Sequence, residues 1–566
     1  MNHPTPAIVT QAAARRLPRL ALVLFCMAYV LPGFFGRDAW KSVDMASLGV
    51  MAELLQDATS WWMPTLMGVP LENPALLPYW IGGWAMQIAP GWIAPDFVVR
   101  IPYGLLLTLA LVATWYGTYY LGRSPKAQPV AFAFGGEALP KDYARAMADG
   151  ALLALIACLG LAQLSHETTP ALAQLGFAAL FFYGIAALPY HRAAPMAAIA
   201  SGLAGMALSG APAMAVLWGL GSGVIHLLDR TRESDSPQTD TITLEGWGIL
   251  LLTAGAGSIA AALHLWRWKI ALPEATWADW NGYAQLLIWF TWPAWPLALW
   301  TLWRWRRQLL NRHISRHLAV PAWLSGVTVA ATLTTGSSDR TLLLALPSLA
   351  TLAAFALPTL KRQVAALIDW FTLLFFSGCA FIIWVVWIAM HTGIPSQPAA
   401  NVARLAPGFV SSFSLLSLAI ALAATLMWAW LVHWRVGRHR AAIWKSLVLP
   451  AGGAALCWLL LMTLWMPLLN YAQGYKVLVE RTVSQIAPAG CVETLGLGQG
   501  QIAAFQFYGN LQLKPMQKTP GCPWLLAESG ADMAPPASLD NSQWNLLVPI
   551  NHPTDGNQSV LLFRQR

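Results

Sequence analysis

The sequence predicts an all-α polytopic membrane protein of about 13 transmembrane helices with a small C-terminal α/β domain. Three observations predict it. The chain of 566 residues is 57% hydrophobic and only 10% charged, with a mean hydropathy of +0.52. Apolar runs approaching the roughly 20 residues of a membrane span recur along most of its length. From about Asn470 the composition turns polar and the apolar segments shorten to strand length. Such a composition excludes an ordinary soluble protein. The net charge of +9 does not point to nucleic acid, because the basic residues form short clusters between apolar runs, as orientation in membrane lipids requires.

Taken in order, the first run is Leu20 to Phe35, preceded by Arg15, Arg16 and Arg19. No small-residue cleavage site follows it, so it reads as an uncleaved first helix rather than a signal peptide. Further spans are expected over Phe97 to Leu121, Gly150 to Leu164, Ala171 to Leu188, Ala194 to Leu208, Ala211 to Leu228 and Trp247 to Leu265. The remaining ones cover Ala284 to Leu302, Leu318 to Thr335, Thr341 to Leu360, Val364 to Met390, Phe409 to Trp434 and Leu447 to Leu469. The domains are therefore 1–469, a transmembrane domain with an external loop at 36–80, and 470–566.

Placing the N-terminus in the cytoplasm puts the basic clusters at Arg123 to Arg145, Arg192, Arg230 and Arg232, Arg304 to Arg316, Lys361 and Arg362, and Arg435 to Lys445 on the inner side. The opposite loops carry far fewer basic residues, so the positive-inside rule orients the chain. The 36–80 loop and the C-terminal domain are then both external, in the periplasm of a bacterium.

That loop is the long polar-containing segment between two strongly apolar ones. It brings Arg37, Asp38, Lys41 and Asp44 to the end of the first helix, where ionisable groups are costly unless they face water, protein or a charged ligand. Ser42 can cap a helix in which Val43, Ala46, Val50, Met51, Leu54 and Leu55 recur at helical spacing, with Asp44, Glu53 and Asp57 on the other side. This predicts an amphipathic helix lying along the interface. Trp61 and Trp62 suit the headgroup level, and Pro64, Gly68, Pro70 and Pro74 turn the chain around Glu72.

The layout resembles the first periplasmic loop of bacterial GT-C glycosyltransferases of the aminoarabinose transferase and protein mannosyltransferase type, often labelled glycosyltransferase family 39. Members have an Asp at the end of the first transmembrane helix, an amphipathic helix, then W-x-P-x-x-x-G-x-P-x-x-E-K-P-P-L-x-Y-W. Here Asp38 is followed by Trp62, Pro64, Gly68, Pro70, Glu72, Asn73 and Pro74, and then by Pro78, Tyr79 and Trp80. Two positions depart: Ala39 follows the Asp where many members have Glu, and Asn73 stands in place of Lys. Arg100-Ile101-Pro102 resembles the family's R-x-P; the plain alternative is an interfacial arginine that snorkels. The turn Ser165 to Ala171 sits where relatives carry a second acidic residue, for which Glu167 stands in; otherwise it is a polar turn. Gly202 to Pro212 resembles G-L-A-x-L-T-K-G-P with Ser209 replacing Lys, and Thr335 to Pro347 resembles the S-x-S-K-x-x-x-Y-L-L-P stretch with Arg340 as the nearby cation.

The resemblance implies a GT-C fold and an inverting transfer of a sugar from a polyprenyl-phosphate donor to a lipid, glycan or protein acceptor outside the inner membrane. It implies Asp38 as general base, taking the acceptor proton within hydrogen-bond reach, and Glu167 as a second catalytic carboxylate. A phosphate leaving group needs cations beside it, for which Arg100, Arg340, Lys41 and Arg37 are the candidates, with Glu72 and Tyr79 completing the substrate-binding set. No cofactor is required by these residues; a divalent metal beside Glu72 is the one possibility the resemblance adds, and one carboxylate does not make a metal site.

Beyond 470 the pattern predicts an amphipathic stretch at Tyr471 to Ile486, a strand at Cys491 to Leu497, a helix at Gln499 to Tyr508 and strands at Trp544 to Val548 and Ser559 to Phe563. The alternating glycines Gly496, Gly498 and Gly500 fall short of a full dinucleotide fingerprint. Cys26, Cys158, Cys379 and Cys457 lie in apolar runs, whereas Cys491 and Cys522 lie in the polar region, in a compartment that favours a disulfide between them. Two other readings stand beside the enzyme. A catalytically weakened scaffold of the same fold would fit the two replaced lysines; a secondary transporter would need repeat halves and mid-bilayer charges, whereas the ionisable residues here gather at helix ends.

Overall fold

The computed structural model describes residues 5–71, 74–229, 239–266, 276–310, 314–335, 339–436, 442–486, 491–517, 520–528, 539 and 542–566. Glu72, Asn73 and Gly336 to Ser338 fall outside this set, as do 230–238 of the hydrophilic loop that begins at Arg230.

The first half contains α1 (Arg19–Val30), α2 (Ser42–Leu55), the two-residue strands β1 (Thr65–Leu66) and β2 (Val69–Pro70), α3 (Leu77–Ile88), α4 (Pro95–Gly122), α5 (Pro140–Ala157), α6 (Leu161–Leu164), α7 (Pro170–Ala187), α8 (Ala193–Leu208) and α9 (Pro212–Leu228). The second half of the helical domain contains α10 (Thr239–Ala262), α11 (Trp277–Phe290), α12 (Ala294–Arg304), α13 (Arg306–Leu309), α14 (Arg316–Thr334), α15 (Asp339–Leu343), α16 (Leu346–Ala356), α17 (Arg362–Thr392), α18 (Ser396–Leu405), α19 (Leu415–Val436), α20 (Lys445–Leu464) and α21 (Met466–Gln473). Every predicted apolar run falls on a helix. Among the described residues seven helices are long and apolar enough to cross a membrane (α4, α7, α10, α14, α17, α19 and α20), and α1, α8, α9 and α16 are shorter apolar helices.

Burial sorts them. In α7, 78% of the most apolar window is buried, against 11% in α19, so α7 lies at the protein's centre and α19 presents its side chains to lipid. Several predicted spans are interrupted rather than continuous. The Ala284 to Leu302 run is two helices, α11 and α12, because Pro293 offers no N–H to a helical ladder and its ring crowds the preceding turn. The freed carbonyls are not left bare, which a bilayer interior would penalise. Phe290 O accepts Gly160 N–H at 2.9 Å and Trp292 O accepts Leu159 N–H at 3.1 Å, so this break satisfies the matching one between α5 and α6.

The C-terminal domain holds α22 (Lys476–Val483), β3 (Cys491–Leu495), α23 (Gln499–Phe507), β4 (Gln512–Pro515), β5 (Trp524–Glu528), β6 (Trp544–Ile550) and β7 (Val560–Gln565). The sheet order is β4-β3-β5-β7-β6, with β3 parallel to β4 and β5 and β7 antiparallel to its neighbours. The predicted helix and three strands are present; β4 and β5 are additions. A disulfide joins Cys491, opening β3, to Cys522, just before the paired β5, across 31 residues. Closing a loop of that size stabilises the domain by about 3 to 4 kcal/mol. Cys491→Ser is accordingly expected to make the C-terminal domain the first part cleaved in limited proteolysis; unchanged protease resistance would count against that contribution.

Candidate active site

The helix expected to be amphipathic in the 36–80 loop has no exposed face. Helix α2 buries Asp44, Met45, Ala46, Ser47, Leu48, Gly49, Val50, Met51, Glu53 and Leu54, which leaves no polar face, because α23 of the C-terminal domain packs over it. Small residues permit this contact. A Cβ on Gly49 would come within 2.5 Å of the Ala503 side chain, and one on Gly500 within 2.6 Å of Ser42. Of the alternating glycines, Gly500, inside α23, thus serves helix packing. Ser42 does not cap α2 either: it is the first residue of the helix, and its hydroxyl accepts the Gly500 N–H at 3.2 Å.

The rest of the loop is clamped in the same way. Met67 and Gly68, both at positive φ, form the two-residue connection between β1 and β2, the backbone that Gly supplies without strain. The Met67 N–H and the Gln506 amide both donate to Glu53 Oε1, at 3.1 and 3.2 Å. Burial raises the Glu53 pKa against these two bonds. Trp61, Trp62, Trp80 and Trp84 form a contiguous aromatic patch in which Trp62 is largely exposed, in keeping with a place at the headgroups.

Beneath this cover, residues scattered over the sequence converge. The Arg37 guanidinium stacks on the Trp40 ring at 4.3 Å, donates to the His166 carbonyl at 2.6 Å and faces Asp44 Oδ2 at 3.6 Å. Asp44 Oδ1 accepts both the N–H and the hydroxyl of Thr168, at 2.8 and 2.7 Å, fixing the turn that precedes α7. Next to it Glu167, fully buried, pairs through Oε2 with Arg340 Nη2 at 2.9 Å. Burial, and then the field of Asp44, raise the Glu167 pKa, while Arg340, Arg37 and Lys41 pull it down. His166 is a core residue, packed against Tyr29, Phe34 and Trp458; burial and the nearby Arg37 hold its pKa down at about 3, so it stays neutral.

Asp38 lies a few residues beyond the end of α1, only 8% exposed. Its backbone N–H donates to Asn470 Oδ1 at 3.0 Å, and its Oδ1 accepts a charge-assisted bond from Lys476 Nζ at 2.6 Å. Asn470 also accepts the Trp40 indole N–H at 2.8 Å and donates to the Gly36 carbonyl at 2.7 Å, so one amide holds the whole Gly36 to Trp40 stretch. Lys476 sits over the Tyr508 ring at 5.1 Å. Arg100 is buried in the first turns of α4, facing the Phe34 carbonyl at 3.5 Å. Tyr79 is buried on α3, and burial raises its pKa.

Of the site residues predicted from sequence, then, Glu167 pairs with Arg340, Arg37 faces Asp44, and Lys41 lies close enough for its charge to act on Glu167. Burial, and then the charge of Asp38, raise the Tyr508 pKa, while the charge of Arg100 lowers it. Glu72 lies outside the described residues. Asn470 and Lys476 were missed, since each stands more than 430 positions from Asp38 in a segment with no motif. The one available signal is that both are polar residues placed directly after the last apolar run.

Several buried donors and acceptors here lack hydrogen-bond partners among the described residues: Arg37 Nε and Nη2, Arg340 Nε and Glu167 Oε1. A buried donor or acceptor left without a partner costs about 1 to 3 kcal/mol. The arrangement can hold a carboxylate base at Asp38 beside cations suited to an anion. Among the described residues no group of three His, Cys, Asp or Glu stands close enough together to hold a metal ion.

No family model matches the sequence, and no curated protein sequence matches it. Among solved structures the chain resembles ArnT from Cupriavidus metallidurans bound to undecaprenyl phosphate, with a TM-score of 0.58 at 12% identity over 97% of this chain and 98% of that one. ArnT in the apo state matches at the same TM-score and identity over 96% and 98%. An oligosaccharyltransferase of Archaeoglobus fulgidus, tethered with an acceptor peptide, reaches a TM-score of 0.42 at 10% identity over 88% of this chain and 64% of its own. The ArnT likeness extends over both domains, and the chain has the GT-C fold.

Proposed function

We propose that this chain is an integral-membrane glycosyltransferase that moves a sugar, with inversion, from a polyprenyl-phosphate donor to a lipid, glycan or protein acceptor on the periplasmic face. The observation that carries the reading is the convergence of the family-like motifs on one place. The Arg37 to Asp44 segment, the turn at His166 to Thr168 and Arg340 are linked by direct hydrogen bonds and ion pairs, although they stem from loops far apart in sequence. The fold shared with ArnT supports the same class of reaction.

In this mechanism Asp38 takes the proton of the acceptor hydroxyl as that oxygen attacks the anomeric carbon. The new C–O bond forms as the bond from the anomeric carbon to the phosphate oxygen breaks, and the polyprenyl phosphate leaves with the electron pair. Arg100, Arg340 and Lys41 are the cations that stabilise that developing charge. Glu167 holds Arg340 in place, and Arg37, committed to Trp40, His166 and Asp44, supports the loop that carries Asp38. Mass spectrometry of envelope lipids, glycans and proteins from a deletion strain should show one species that has lost a sugar-sized mass, restored by the wild-type chain; an unchanged envelope would sink the proposal.

The orientation is part of the proposal. A cysteine at Asn545, exposed on β6, should react with an impermeant thiol reagent added to the periplasmic side. One at Gln363, at the exposed start of α17, should react only after lysis. The reverse pattern would place the site in the cytoplasm.

A further inference from the structure

We infer that Lys476 is a positioning residue for Asp38, so that the C-terminal domain supplies part of the catalytic centre. The inference rests on Asp38 being the base and deepens that reading. A general base acts only if its lone pair meets the proton within hydrogen-bond reach, and a free carboxylate at the end of an aspartate side chain turns about two torsions. Here one oxygen is fixed. Lys476 Nζ holds Oδ1 at 2.6 Å, while the other face of the ammonium rests on the Tyr508 ring. Oδ2 accepts no hydrogen bond among the described residues and lies beside Gly474, where a Cβ would approach it to 3.4 Å and collide with the Asn470 carbonyl at 2.5 Å. The backbone of Gly474 packs too closely on the Asn470 carbonyl for any side chain to stand there.

The 470–476 segment is itself held from the C-terminal domain. The Thr554 hydroxyl donates to the Ala472 carbonyl at 2.5 Å, and His552 Nε2 meets the Gly474 carbonyl at 3.3 Å. Arg481 bridges the Asn551 carbonyl and the Tyr471 hydroxyl. With Asn470 bonded to Gly36, Asp38 and Trp40, the backbone and the carboxylate of Asp38 are both set by residues beyond the last membrane helix. During transfer the acceptor proton goes to Oδ2 while Oδ1 stays on Lys476, so the ammonium is neither consumed nor deprotonated.

The experiment uses the full chain expressed in the deletion strain, and reads the initial rate at which the missing sugar-bearing species reappears after induction, per mole of disulfide-bonded protein. Lys476→Met is expected to lower that rate roughly 10-fold to 100-fold, the scale of a misplaced catalytic group. Lys476→Arg, which can still donate to Oδ1, is expected to recover most of it, and Lys476→Gln is measured alongside in case the methionine variant accumulates poorly. A merely structural lysine would show no such dependence on the retained charge. If Asp38→Asn abolishes the rate but Lys476→Met and Lys476→Gln keep it, or if arginine rescues nothing, the positioning role is overturned while the base stands. If Asp38→Asn keeps the wild-type rate, the base assignment fails and the inference falls with it.

Discussion

Asp38→Asn is expected to lower the rate of sugar transfer by about 100-fold to 10,000-fold, the range typical of losing a general base. The protein should remain folded and hold its donor no less tightly. The amide keeps the size and shape of the carboxylate, and the backbone N–H of residue 38 keeps its bond to Asn470. What is lost is the negative charge on Oδ1 and Oδ2. The ion pair to Lys476 is broken, but the lysine side chain is 40% exposed and its ammonium can turn to water, so little stability goes with it. The cations placed for the phosphate, Arg100, Arg340 and Lys41, are untouched. The defect should therefore appear in kcat rather than in KM for the lipid-linked donor, measured with purified protein and a verified donor. Wild-type turnover in the variant would make Asp38 a residue that merely anchors the loop after the first helix, and the mechanism would fail at its first step.

The second large effect is expected on stability. Arg340→Gln removes the partner of Glu167, whose side chain is fully buried while that of Arg340 is 25% exposed. Removing one member of a buried pair costs on the order of 3 to 5 kcal/mol, and the partial exposure of the arginine places this case near the lower figure. The loss should depend on pH in a defined direction. The folded-state pKa of Glu167 is already raised by burial and by Asp44, against the pull of Arg340, Arg37 and Lys41. Taking Arg340 away raises it further. A carboxyl whose folded pKa lies above its unfolded value contributes stability that is present below the unfolded value, near 4.5, and lost as pH rises through the folded one. The variant should thus differ little from wild type in acid, where Glu167 is protonated in both states, and most near neutrality. Thermal unfolding in detergent across that range tests it. A stability difference that is constant with pH would show that Arg340 acts through packing instead.

The places where sequence reading succeeded and failed follow one physical division. The thirteen apolar runs were legible because a bilayer demands that each crossing segment satisfy its own backbone and face lipid, a requirement met by residues close together in the chain. Three of the C-terminal strands and the pairing of Cys491 with Cys522 were legible for the same reason: alternation, and the place of these two cysteines outside the apolar runs, are local properties. Interruptions such as Pro293 could be seen, but not that their freed carbonyls would be met by the break after α5. Helix α2 shows the limit most plainly. Its apolar spacing predicts an interfacial helix, and its polar residues Asp44 and Glu53 look solvent-facing, because nothing within the loop reveals that α23 covers it from the far end of the chain. The motif residues Asp38, Arg100, Glu167 and Arg340 could be picked out one at a time from the resemblance of the short stretches around them to family motifs. Their partnerships could not. Glu167 meets Arg340 across 173 residues, and Asp38 meets Asn470 and Lys476 across 432 and 438. Sequence alone determined that this chain builds its elements in a membrane and carries ionisable groups to the helix ends. Which carboxylate faces which cation was decided by the tertiary structure, because ion pairs and hydrogen bonds depend on distances of a few ångströms that packing between remote segments sets.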